Sequence, residues 1–248
     1  IDINADAGES FGPWRMGSDA ALFPLLTSVN LAAGFHAGDP LAMLAAVELA
    51  KEHGVAVGVH PGFPDLVGFG RRDMEVTPEH VYTDVLYQIG ALSAFLKARR
   101  MSLHHVKPHG ALYNRATRHA QVARAIADAV RDYDPELPLV VLAGSLSERV
   151  AREAGTRVAP EAFPDRAYLP DGTLAPRSMK GALLHDPDRA AERAVSMALE
   201  GRVAAHDGQA VSLRPETLCI HGDNPEAPAI ARAIRQALTT KGVTVIAY

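Results

Sequence analysis

Apolar runs of three to five residues, each closed by a short polar cassette, recur from one end of the chain to the other. Val55-Ala56-Val57-Gly58-Val59 and Leu218-Cys219-Ile220 are too short for helices and apolar enough for strands covered on both faces. The pattern predicts strands at residues 1–5, 28–33, 55–59, 103–106, 139–142, 157–159, 217–220 and 243–247. Longer stretches of strong helix formers between them predict helices at 41–53, 77–100, 120–131, 145–154, 187–200 and 225–240. Several helices announce their first turn. Asp39-Pro40, Thr77-Pro78, Asp186-Pro187 and Asn224-Pro225 each set a capping side chain before a proline suited to the first helical position.

Strand and helix alternate throughout, which implies right-handed crossovers and a mainly parallel sheet. No proline-, serine- or glycine-rich linker divides the chain, so residues 1–248 read as a single α/β domain. The polar cassettes choose between an open doubly wound sheet and a closed barrel. They occupy residues 4–9, 34–39, 60–61, 107–110, 161–166 and 221–224, and follow six different strands. An open sheet concentrates its site at one switch point, whereas a barrel gathers every strand end on one rim. An irregular (β/α) barrel with its chemistry on the C-terminal rim is expected. All four asparagines, Asn4, Asn30, Asn114 and Asn224, fall inside or beside these cassettes.

Asp6 and Glu9 share a glycine-bearing loop, where carboxylates bind a metal, orient a cationic substrate, act as a general base or simply cap the next helix. His36, bracketed by Gly34 and Gly38, implies a backbone packed closely against something. His60, Lys107, His109 and His221 directly follow strands, a set able to donate to a carbonyl oxygen, relay protons or bind an anion. The segment 161–166, with Asp171 and Arg177 beyond it, reads as a lid with an anion-binding arginine or as a loop held by its own ion pairs. Cys219, inside a strand, reads as a small buried apolar residue.

With 248 residues, 48% of them apolar, the chain can bury a large core. A net charge of −4 with scattered basic residues argues against a nucleic-acid partner, which needs a concentrated cationic patch. No charged leader opens the sequence and no apolar run reaches the length of a membrane span, so a soluble cytoplasmic protein with no membrane partner is expected. Gly-Lys occurs nowhere, so the usual phosphate-binding loop for ATP is missing, and there is no His-Glu-x-x-His.

At its cassettes the chain resembles the LamB/YcsF family. The matching segments are Asp2-Ile3-Asn4-Ala5-Asp6-Ala7-Gly8-Glu9, Ala33-Gly34-Phe35-His36-Ala37-Gly38-Asp39-Pro40, Gly68-Phe69-Gly70-Arg71-Arg72, Val106-Lys107-Pro108-His109-Gly110-Ala111-Leu112-Tyr113-Asn114, Glu161-Ala162-Phe163-Pro164-Asp165-Arg166, Asp171-Gly172-Thr173-Leu174-Ala175-Pro176-Arg177 and His221-Gly222-Asp223-Asn224-Pro225. The resemblance implies a seven-stranded barrel of the glycoside hydrolase/deacetylase superfamily. It also implies the A component of ATP-dependent 5-oxoprolinase, which opens the lactam of 5-oxo-L-proline to L-glutamate together with the B and C components as partner subunits. ATP is then a co-substrate handled with those partners, in keeping with the missing loop.

Within that frame Asp6 or His60 is the expected general base, Lys107 and His109 stabilise negative charge, and His221 with Asp223 protonates the ring nitrogen. Asn4, Glu9, His36, Arg71, Asn114, Glu161 and Arg166 form the expected substrate-binding set, Arg71 or Arg166 holding the substrate carboxylate in a bidentate fork. The related deacetylases bind a divalent metal through an aspartate after the first strand and two histidines four positions apart after the second. Here Asp6 matches the aspartate, but His36 and Asp39 stand in for the histidine pair, so a metal would fall to Asp6, His36 and His60. The alternative function is a metal-dependent amidohydrolase or carbohydrate deacetylase acting without ATP.

Overall fold

The computed structural model describes residues 1–222 and 224–248; the expected proton-donor partner Asp223 lies outside the described residues. Six strands come in chain order, β1 (Asp2–Ala7), β2 (Ser28–Ala32), β3 (Ala56–His60), β4 (Leu103–Val106), β5 (Leu139–Leu142) and β6 (Val158–Ala162). A small antiparallel hairpin follows, β7 (Arg202–Ala204) with β8 (Ala210–Ser212). The last strand, β9 (Thr217–Ile220), then enters between β6 and β1 and closes a seven-stranded parallel barrel.

The helices of the described residues are α1 (Asp19–Leu22), α2 (Pro40–His53), α3 (Pro78–Ala98), α4 (Gly110–Ala116), α5 (Ala120–Tyr133), α6 (Leu146–Glu153), α7 (Pro187–Val195) and α8 (Ala227–Thr240). Three begin as their capping dipeptides imply. Asp39 accepts from the backbone N–H groups of Leu41 and Ala42, Thr77 from His80, and Asp186 from Asp188 and Arg189. Asn224 does not cap α8, which starts at Ala227; its side chain accepts from Glu226 in the preceding turn. The short helix α4 and the hairpin are additions that the apolar pattern does not signal.

Most strands are buried on both faces, with a mainly apolar outer face and, outside the all-apolar β5, a largely polar inner one. Ile3, Ala5, Val29, Leu31, Val57, Val59, Leu218 and Ile220 join the inner faces of the helices in one continuous core. The alternate residues Asn4, Asp6, Asn30, His105, Lys107 and Cys219 reach one another through hydrogen bonds across the barrel. The expected burial on both faces holds for these strands, and the alternation adds a polar inner face.

The expected strand at 243–247 does not form. β1 already pairs with β2 on one side and β9 on the other, so a closed barrel offers no edge to an eighth strand. The segment instead makes two bonds to Ile1, from the chain-start amine to the Thr244 carbonyl (2.7 Å) and from the Ile246 N–H to the Ile1 carbonyl (3.0 Å).

The loop after β2 is held by close backbone contact. Gly38 has φ +77°, and a Cβ there would lie 2.5 Å from the Ala32 carbonyl oxygen. Gly38→Ala is therefore expected to cost about 2–6 kcal/mol, the sum of left-handed strain and steric overlap, read as a lowered denaturation midpoint. Unchanged stability would mean that the loop relaxes freely.

Candidate active site

The polar interior converges on Lys107 at the end of β4. Its buried ammonium lies 3.0 Å from Asp6 Oδ1, 2.9 Å from Glu161 Oε1 and 2.9 Å from Cys219 Sγ. Asn30 donates to Asn4 Oδ1 (2.7 Å) and Asp6 Oδ1 (2.9 Å), and Asn4 donates to Glu161 Oε1 (3.0 Å). Tyr113, on α4, donates to Glu161 Oε2 (3.1 Å). Burial alone would discharge Lys107, yet Asp6, Cys219 and Glu161 hold its pKa well above the usual lysine value. Burial likewise favours a protonated Asp6, but His60 and Lys107 hold that carboxyl well below its usual range. Cys219 and Tyr113 are pushed up, chiefly by burial, and stay neutral.

A second cluster joins the loops after β1, β2, β3 and β4. Single ligand atoms of Glu9, His36, His60 and His109 all lie within 4.8 Å of one another. His60 Nε2 is 3.3 Å from Asp6 Oδ2, which links the two clusters. The His36 ring lies flat against His109, centroids 3.8 Å apart. Burial, reinforced by the neighbouring imidazoles, lowers His36 well below the ordinary histidine value and takes His109 down to about 3. Both rings are therefore neutral near pH 7. Asp6, His36 and His60, expected together around a metal, are brought together with Glu9 and His109 added.

The third group is a dyad. His221 Nδ1–H donates to Asp165 Oδ2 (2.9 Å), and the His221 backbone N–H donates to the same oxygen (3.1 Å). Phe163 packs on the ring, with centroids 5.4 Å apart. His221 also helps to line a cavity above the barrel.

That cavity, of about 510 Å³, opens above Lys107. Asp6, His60, His109, Tyr113 and His221 line its floor, and Arg71, Arg118, Arg166 and Arg177 its walls. Arg166 is largely buried and donates to the Ala175 carbonyl (2.7 Å); burial and the nearby Arg177 lower its pKa. Of the expected substrate-binding set, Arg71, Asn114 and Arg166 line the cavity. Asn4, Glu9, His36 and Glu161 lie behind the lining, in contact with Lys107 or His109.

Sequence reasoning missed Asp165 as the partner of His221, Tyr113 as the partner of Glu161, Arg118 on the wall, and Cys219 as a contact of the lysine. The family segments contained Asp165 and Tyr113, but no spacing singled them out. Arg118 gave no signal.

The LamB/YcsF family model matches residues 1–248. A protein of Thermus thermophilus, named as the A component of 5-oxoprolinase, is 64% identical over 248 residues, covering 100% of this chain and 99% of that one. A solved structure titled lactam utilization protein, from a second strain of the same organism, superposes with a TM-score of 0.95 at 62% identity, covering 100% and 99% of the two chains. A family 4 carbohydrate esterase from Streptomyces lividans superposes with a TM-score of 0.50 at 11% identity, covering 99% and 90% of the two chains, which is a likeness of fold alone.

Proposed function

The chain belongs to the LamB/YcsF family, and from that premise we propose that it is the lactam-opening A component of an ATP-dependent 5-oxoprolinase. It converts 5-oxo-L-proline to L-glutamate with partner subunits in the cytoplasm. The observation that carries this reading is the cavity itself: four arginines and a charged lysine surround a floor of three imidazoles, a tyrosine and one carboxylate. Such a lining suits a small substrate bearing more than one negative charge.

A five-membered lactam is a weak electrophile. Transfer of a phosphoryl group from ATP to its oxygen activates C5 and adds the second anion, and this transfer takes place at a partner subunit or a shared interface, a reading in keeping with the lack of Gly-Lys in this sequence. Asp6 orients the attacking water and takes its proton, while Lys107 stabilises the charge that develops on oxygen. Loss of phosphate from the adduct would regenerate the lactam, so nitrogen must leave instead. His221, oriented by Asp165, is the proton donor to the ring nitrogen. The acyl phosphate that remains takes a second water and gives glutamate and phosphate.

The test is glutamate release from 5-oxoproline by this chain alone and with its partners, each with and without ATP. Release only with partners and ATP supports the proposal. Turnover of an acetylated sugar by the chain alone, without ATP, would replace it with the deacetylase alternative. Arg166→Ala is expected to uncouple the complex: loss of a charged hydrogen bond lowers glutamate formed per ATP consumed by about tenfold. Unchanged coupling would remove Arg166 from the anion site.

A further inference from the structure

Behind the cavity floor, three imidazoles and one carboxylate converge, one ligand atom from each lying within 4.8 Å of the others. His60 lies 2.7 Å through Nδ1 from the Lys107 carbonyl oxygen, and His109 lies 2.8 Å through Nε2 from the Phe69 carbonyl oxygen. A carbonyl oxygen only accepts, so those two nitrogens carry the protons. With Asp6 Oδ2 3.3 Å from it, the other nitrogen of His60, Nε2, lies 3.0 Å from His109 Nδ1. The acceptor Glu9 Oε1 lies 3.5 Å from the latter and 3.4 Å from His36 Nε2. His36 is fully buried, with neither ring nitrogen in a hydrogen bond.

We infer that Glu9, His36, His60 and His109 form a binding site for one divalent transition-metal ion of the zinc class. Bonds of about 2.0–2.1 Å in a tetrahedron place neighbouring donor atoms about 3.3 Å apart. The three closest approaches here, 3.0, 3.4 and 3.5 Å, bracket that spacing. Three imidazoles and a carboxylate suit zinc, cobalt or nickel, whereas magnesium and calcium prefer oxygen donors throughout. The carbonyl partners of His60 and His109 are the usual outer contacts of metal-bound imidazoles, fixing tautomer and orientation. The rings of His60 and His109 cross at 87°, so one ion can lie in both ring planes. His36, parallel to His109 within 4°, joins them by turning out of its stack. Bound there, a dication would supply Lewis acidity at the edge of the cavity, where Asp6 is by itself a weak base.

The site stands whichever substrate the cavity takes, so its test needs no turnover. The chain is stripped with chelator, dialysed against zinc or cobalt, passed through gel filtration and analysed for metal. One equivalent retained, with visible absorption of four-coordinate cobalt and imidazole scattering in the X-ray absorption of the zinc form, is the expected result. Glu9→Gln should weaken binding at least about tenfold, and His60→Ala with His109→Ala should abolish it with the circular dichroism unchanged. His104→Ala, at the other end of β4, should retain the metal. Failure of the wild-type chain to retain metal overturns the inference, as does equal retention by a folded double variant. Should the double variant fail to fold, the wild-type cobalt spectrum decides: imidazole-free, six-coordinate cobalt rejects the site.

Discussion

Replacing Lys107 by alanine should reduce glutamate release by the assembled complex by about a hundred- to a thousandfold. The same change should lower the melting temperature of the isolated chain by about 10 °C. Both effects come from one position. The ammonium sits between Asp6 and Glu161, within 3.0 Å and 2.9 Å of their oxygens, and is buried with them. Removing it leaves two carboxylates facing each other without a counter-charge, and breaking a buried ion pair this way costs about 3–5 kcal/mol. Adding Glu161→Gln to Lys107→Ala should restore part of the lost stability, since one of the stranded charges disappears, and none of the activity. Wild-type turnover in Lys107→Ala would remove the lysine from the chemistry. An unchanged melting temperature would mean that the carboxylates find other partners.

The same lysine marks how far the sequence could be read. Its place just beyond a short strand was legible, because Leu103 and Val106 bound a stretch too short for a helix and Lys107-Pro108 closes it. Its partners were not. The contacts to Asp6 and Cys219 span 101 and 112 residues, and only closure of the barrel brings β1 and β9 against β4. Cys219 reads as a buried apolar residue from its neighbours in sequence, and it is buried, but it faces inward onto a charge. The segment 243–247 shows the converse. Its apolar residues have strand composition, yet pairing needs a free edge, and whether β1 keeps one is decided by β9. Local signals that need no distant partner fared best: the prolines after Asp39, Thr77 and Asp186 start helices because both cap and ring act within one turn.

Asp165→Asn should slow glutamate release about a hundredfold or more while leaving the cavity lining in place. Asp165 contacts His221, and its carboxylate holds the ring through Nδ1. An amide in its place offers either an oxygen or an N–H to Nδ1, so the proton-bearing nitrogen is no longer specified, and the negative charge that favours the imidazolium is gone. The loss should therefore fall on kcat with KM little changed, which a purely packing role would not cause. His221→Ala combined with Asp165→Asn should be no slower than His221→Ala alone, because the aspartate acts through the ring. The stability of the pair has its own pH window. Burial tends to raise the Asp165 carboxyl, but the His221 ring and backbone N–H outweigh it and hold the group below its ordinary value. A depressed carboxylate contributes stability above its unfolded-state pKa and loses it as the pH falls through the folded-state value. Wild type should accordingly melt higher than Asp165→Asn at neutral pH, and the gap should close as the pH drops below about 4. A gap that persists undiminished at low pH, or a kcat equal to that of wild type, would reduce Asp165 to a structural hydrogen-bond acceptor.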